Sequence, residues 1–139
     1  MISSILVSEN VSGNMKRTLF ISVCCTLFCL LFYMIYNLFS HGVHSPFMTF
    51  LFAWPLVLCV FPCALFLAAP GIPGPSLLCT LVWNTGAAAV TVSSLLRGVF
   101  DIAGNSSVYQ VIMMAAGFVM LFIGLILYAA GIILLKSHK

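Results

Sequence analysis

Charge is what this chain of 139 residues most lacks: Asp, Glu, Lys and Arg make up 5% of it, against roughly a quarter in ordinary soluble domains. With hydrophobic residues at 63%, there is too little polar surface to cover a water-soluble globule, and the composition points to one membrane domain. The cations are Lys16, Arg17, Arg97, Lys136 and Lys139, and the acids are Glu9 and Asp101. They form no basic stripe interleaved with aromatics, which excludes a nucleic-acid surface. No apolar run contains an acid, so the membrane-embedded carboxylate of a small proton-coupled exporter is missing. The Arg, Asn and Glu sets of a membrane glutathione transferase are missing too. Clustered His, Asp or Glu, from which a serine or metal hydrolase is built, are equally lacking. Six cysteines are present, Cys24, Cys25, Cys29, Cys59, Cys63 and Cys79, but none forms a C-x-x-C pair. That excludes a quinone-linked thiol oxidoreductase and leaves them as small polarisable packing residues. The expectation is a protein that is not an enzyme and needs no metal or cofactor.

What is present is a succession of apolar segments, at residues 19–39, 47–69, 77–96 and 108–135. Residues 1–15 mix apolar and polar positions without a sustained period and read as a loosely ordered tail. Residues 16–139 then form a single transmembrane domain. The first segment is long enough to cross a hydrocarbon core of roughly 30 Å, and it lacks the small-residue cleavage site of a signal peptide. A short turn at residues 40–46, with His41, Gly42 and His44, makes the first two segments antiparallel neighbours. Pro55 and Pro62 lie within the second segment, seven apart on one helical face. Each removes a backbone donor, so the helix must kink or its freed carbonyls must find partners on neighbouring helices. Residues 70–75, rich in Pro and Gly, end that segment. The third segment is rich in Gly, Ala, Ser and Thr, which let helices approach closely in lipid, and belongs inside the bundle. The turn at residues 97–107 carries Arg97 and Asp101, four apart and able to pair on one face if the helix continues past Leu96. The fourth segment would measure about 42 Å as helix, so it must tilt. Gly117, Gly124 and Gly131 recur every seven residues along it and form a packing seam.

Basic residues precede the first segment and follow the last. Four crossings place both termini in the cytoplasm under the positive-inside rule, in a bacterial inner membrane. Loose internal echoes, a Gly-Val pair after each odd segment and an Ala-Ala run near the end of each even one, fit two tandem helix pairs. Met15-Lys16-Arg17 has the form of a usual chain start, so translation from Met15 is an expectation beside Met1. The intact mass of the natural product decides between them.

At the first pair the pattern gains a likeness. It has a basic start at Lys16-Arg17, an apolar helix ending in Met34 and Asn37, and a turn at Gly42. Phe47 and Phe50, Trp54 and a closing Ala69-Pro70 follow. Over residues 15–70 this resembles the bacterial family called domain of unknown function 2798, small membrane proteins built from helix pairs, with the second half a degenerate copy. Pro55 after Trp54, and the missing Asn and Trp in the second pair, depart from the family. The resemblance implies a helix-pair fold and brings no activity with it.

The fold expected is therefore all-α: an integral membrane four-helix bundle of two antiparallel transmembrane hairpins. Asn37, Asn84, Arg97 and Asp101 are the polar candidates, as interhelical contacts or pathway groups. His41 and His44 lack further ligands near them in sequence and read as solvated. Two Asn-x-Ser patterns, at Asn10 and Asn105, are too common to carry a glycosylation assignment. Two functions remain open. One is a non-enzymatic membrane protein acting by helix association, as a homo-oligomer or with another membrane protein, through the glycine seam. The other is a small oligomeric transporter or channel with the polar candidates along its path.

Overall fold

The structure, a computed structural model, describes residues 2–39, 45–69, 72–105 and 107–137, with side chains from residue 14 to residue 134 of these ranges. The histidine turn with His41 and His44, Pro70 and Gly71, and the terminal Lys139 lie outside the described residues; Glu9 and Lys136 are described in their backbone alone.

Every regular element among the described residues is helical. Three are long: α1 (Ile2–Phe39), α5 (Leu77–Ala103) and α6 (Val108–Ser137). Between α1 and α5 lies a broken second segment of four short pieces: α2 (Pro46–Thr49), α3 (Ala53–Pro55), a π turn (Leu56–Val60) and α4 (Phe61–Ala68). The long helices each contain a stretch long and apolar enough to cross a membrane, at Asn14–Phe39, Leu77–Ala103 and Val108–Leu134. The tail expected at residues 1–15 is instead helical from Ile2 onward. No proline interrupts those residues, and a helix already nucleated gains one hydrogen bond for each further residue fixed.

The caps of α5 explain its length. Ser76 opens it, its side chain accepting from the Cys79 N–H at 3.3 Å. Gly104 closes it in the left-handed region at φ 67, and both Gly104 and Asn105 direct their N–H groups to the Phe100 carbonyl. The helix thus runs past Leu96, where the sequence pattern places its end, and Arg97 and Asp101 sit on helix and not in a turn. Gly98 is no stop because its lack of a side chain serves packing: a Cβ there would meet Met48 at 3.2 to 3.3 Å.

The expected helix at residues 47–69 is not continuous. After α2 the backbone bonds shorten to three-residue spacing, from Leu51 to Met48 and from Ala53 to Phe50, and the chain turns before Pro55. Pro62 then acts as the sequence requires. It cannot donate to the Leu58 carbonyl four residues back, and its ring crowds that carbonyl. The preceding turn widens, so that the Phe61 N–H reaches Leu56 five residues back. The Leu58 carbonyl turns outward and accepts from Trp83 Nε1 at 2.6 Å. A neighbouring helix thereby supplies the donor that proline removed.

The elements pack in chain order: α1 against α3, the π turn and α4; the second segment against α5; and α5, most extensively, against α6. Two edge-to-face aromatic pairs, Trp54 with Phe118 and Phe66 with Tyr128 at 6.0 and 5.4 Å, carry the second segment across onto α6. The core sits where the three meet, around Ala87, Val90 and Leu121, with Met48 and Leu51 closing one end. Large apolar side chains point outward, among them Phe20, Phe28 and Leu38 on α1 and Phe122 and Ile133 on α6. Such a surface inverts that of a soluble globule.

The proline account can be tested by a double-mutant cycle. Trp83→Phe, which orphans the Leu58 carbonyl, is expected to cost about 1–3 kcal/mol in detergent unfolding. Pro62→Ala, which restores the backbone donor, should remove much of that cost. Equal costs of Trp83→Phe in both backgrounds would sink the account.

Candidate functional site

Gly117 and Gly124 face inward. A Cβ on Gly117 would meet Val90 Cγ2 at 2.8 Å and the Gly86 carbonyl at 3.0 Å; one on Gly86 would meet the Gly117 carbonyl at 2.9 Å. The two glycines let α5 and α6 touch backbone to backbone. Gly124 lies against Trp83, where a Cβ would stand 3.3 Å from a ring carbon, and its carbonyl accepts from Cys79 Sγ at 3.2 Å. Gly131 differs: nothing stands within 4 Å of its would-be Cβ, and it borders a recess of about 470 Å³ shared with Pro73, Gly74 and Ser76. The heptad seam therefore divides, two glycines used within the chain and the third open.

At the Gly104 end of α5 a polar cluster joins α2, α5 and α6. Ser94, wholly buried, accepts from Trp54 Nε1 at 3.1 Å and donates to the Phe47 carbonyl at 3.3 Å. One hydroxyl thus fixes both ends of the break in the second segment. Ser93 donates to the Gln110 carbonyl at 2.6 Å, tying the start of α6 to α5. Ser45, at the α2 N-terminus, donates to Asp101 Oδ2 at 3.1 Å. The Arg97 guanidinium lies over the Phe47 ring, 4.3 Å from its centroid. Arg97 and Asp101 form no ion pair with each other. A basic residue four before an acidic one is the weaker order, worth a few tenths of a kcal/mol when exposed. A cation over an aromatic face is worth about 0.5–1 kcal/mol or more, and α2 brings each of the two a separate partner. Among the described residues, Arg97 Nε and Gln110 Oε1 are buried without a hydrogen-bond partner.

Toward the other end of α5 lies an apolar cleft of about 270 Å³, formed by α1, the π turn, α4, α5 and α6. Cys59, Cys63, Cys79, Phe66, Trp83 and Leu125 give it its character. Asn84 lines it, as does Thr80, whose hydroxyl is taken by the Ser76 carbonyl at 3.1 Å. Met15 of α1 closes one side, only 7% exposed. Tyr128 stands at its edge and donates to the Pro73 carbonyl at 3.2 Å, fastening the link before α5 to α6.

The four polar candidates are not brought together. Asn84 and Arg97 are thirteen residues apart on α5, about 20 Å along its axis, and Asn37 is exposed in the last turn of α1. Pro55 is buried in α3 and Pro62 opens α4. The residues that the sequence reading missed are hydroxyl and amide groups: Ser45, Ser93, Ser94 and Gln110. Ser93 and Ser94 read as small packing residues, and their second use as connectors depends on which helix faces them. Gln110 carried a usable signal, an amide in the first turn of a long apolar run. Among the described residues, no three His, Cys, Asp or Glu side chains gather as a metal site would require.

The class defined by these observations is an all-helical protein with three helices long and apolar enough to cross a membrane. Within that class, the chain matches no known protein-family model, no curated protein and no solved structure.

Substitution should separate the two parts of the seam. Gly86→Ala or Gly117→Ala forces backbone apart and is expected to destabilise by about 1–3 kcal/mol. Gly131→Ala should leave the unfolding midpoint in detergent unchanged. Equal midpoints for all three variants would contradict the division.

Proposed function

We propose that the chain is a non-enzymatic integral membrane protein, with four segments in two antiparallel hairpins, that works by helix association. It acts as a homo-oligomer or as an accessory subunit of another membrane protein. The observation that carries this reading is the apolar outward surface of α1 and α6, set against polar side chains largely used inside the chain. A surface of that kind offers other molecules packing and little hydrogen bonding, which suits lipid tails and other helices. The helix-pair likeness of residues 15–70 is in keeping with it. The second segment reaches across by adding α2 and its turn to the 16-residue helical stretch Ala53–Ala68, which alone spans about 24 Å. An even number of crossings leaves Lys16 and Arg17 on the same side as the basic C-terminal end, the cytoplasmic side of a bacterial inner membrane.

A transporter or channel is the second reading, and Asn84 in its cleft is the feature that favours it. That reading requires an oligomer, because Asn84 and Arg97 do not line one path within a protomer.

The deciding measurement extracts the chain with its surrounding lipid and weighs the particle by light scattering, corrected for lipid. A defined dimer or larger assembly, or a stoichiometric second protein, is the expected result. A lone monomer at every concentration would overturn the association reading. A chain that stays dispersed in water without detergent would overturn membrane insertion as well. Gly131→Leu is expected to shift the assembly without lowering the unfolding midpoint, whereas Gly124→Leu, which collides with Trp83, lowers the midpoint itself.

A further inference from the structure

We propose that the apolar cleft between α4, α5 and α6 holds one acyl chain of an anionic phospholipid, whose headgroup is taken by Lys16 and Arg17. The inference rests on the membrane reading above.

Size and lining narrow the occupant first. At about 270 Å³ the cleft falls just under the roughly 300 Å³ at which small-molecule pockets begin, so it takes a narrow chain and not a drug-sized body. Water needs two to four polar partners. The lining exposes almost no polar surface even though Asn84 and Thr80 belong to it, and Thr80 has already spent its hydroxyl on Ser76. A polar solute is excluded on the same ground. A flexible hydrocarbon chain, part of it in the cleft and the remainder in the surrounding bilayer, fits the narrow volume and the chemistry.

Charge at the start of the α1 span, next in sequence to Met15, then selects the headgroup. Met15 forms one wall of the cleft, and the next two residues, Lys16 and Arg17, are exposed cations. The membrane-length stretch of α1 begins at Asn14, so both lie in its first turn, at headgroup depth in the proposed bilayer. A lipid tail already sits in hydrocarbon, so entering an apolar cleft gains little from the hydrophobic effect, and discrimination must come from the headgroup. Two cations, each worth about a five-fold preference at an anionic surface, give roughly thirty-fold for an anionic over a zwitterionic lipid.

The test reconstitutes the full chain in phosphatidylcholine vesicles containing a minor share of phosphatidylglycerol. Flotation is followed by mild detergent extraction and native mass spectrometry of the lipid retained. One phosphatidylglycerol per chain is expected, selected about thirty-fold over its bulk share. The paired change Lys16→Gln with Arg17→Gln should bring selection close to the bulk ratio. Thr80→Phe, which fills the cleft, should abolish retention of either lipid. Retention of both lipids in bulk ratio by the unaltered chain, or unchanged selection by the charge variant, would overturn the inference. So would an assembly of chains that retains no phospholipid. Should Thr80→Phe fail to fold, the charge variant decides, since both its positions are exposed. A chain that floats with vesicles but selects no lipid defeats this inference alone, whereas one that does not float defeats the membrane reading too.

Discussion

Backbone contact between α5 and α6 at Gly86 and Gly117 is the constraint on which the rest of the structure depends. In the lipid setting proposed above, helices gain little from hiding apolar side chains from one another, so adhesion relies on close packing and on polar groups that can be bonded only across an interface. Two facing glycines bring the axes close enough for Val90, Ala87 and Leu121 to fill the remaining space. They also bring Ser93 within 2.6 Å of the Gln110 carbonyl and Cys79 within 3.2 Å of the Gly124 carbonyl. A wider α5–α6 separation would break both bonds at once, because each spans that interface near one end of it.

The second segment depends on this platform. Pro62 and the break after α2 leave it with unbonded carbonyls, and in isolation such a segment could not remain in a nonpolar setting. The platform supplies what is missing: Trp83 donates to the Leu58 carbonyl, while Ser94 holds the Phe47 carbonyl and the Trp54 indole. The two tryptophans work reciprocally. Trp83 on α5 reaches out to the second segment, and Trp54 on the second segment reaches back to α5. Each half-buries a large ring and satisfies its single donor, which explains why the chain's only two tryptophans lie at this boundary. α1 then packs on the second segment and comes last in the order of dependence.

The parts of this arrangement legible in the sequence are those set by local chemistry. The three long apolar helices, the crowding of small residues on the central one, and the need of Pro62 for a borrowed donor all follow from residue types and spacing. The identity of the donor does not, because Trp83 and Leu58 are 25 residues apart and nothing local links them. The end of α5 is not legible for a similar reason. Gly98 and Gly104 look alike as stop signals, and only the approach of Met48 to Gly98 distinguishes the packing glycine from the terminating one. Arg97 and Asp101 invite pairing by their spacing, yet Phe47 and Ser45, 50 and 56 residues earlier at α2, take one each. The heptad glycines were legible as a seam, but the point where it passes from the partner helix to open space is set by how far α5 extends beside α6.

The two ends of α5 have opposite character, and this bears on which end can act. At the Gly104 end, Ser94, Ser93, Asp101 and Arg97 are each held by a specific partner. A polar group that binds a passing solute must exchange partners, and the partnered groups of this cluster could do so only by loosening α2 or α6, while the unpartnered Arg97 Nε and Gln110 Oε1 are buried. The cluster therefore fixes the fold and is poorly placed to turn over a ligand. At the Ser76 end the cleft is lined by side chains that make mainly dispersion contacts, which exchange one hydrocarbon neighbour for another at little cost. Two of its fixed features, the Tyr128 bond to Pro73 and the cap of Ser76, lie at the edge, while the Cys79 bond to Gly124 and the Trp83 bond to Leu58 hold its walls. The Ser76 end of α5 is thus the end where a change of apolar neighbour disturbs the fewest polar bonds, and Met15 brings the exposed cations of α1 to that same end.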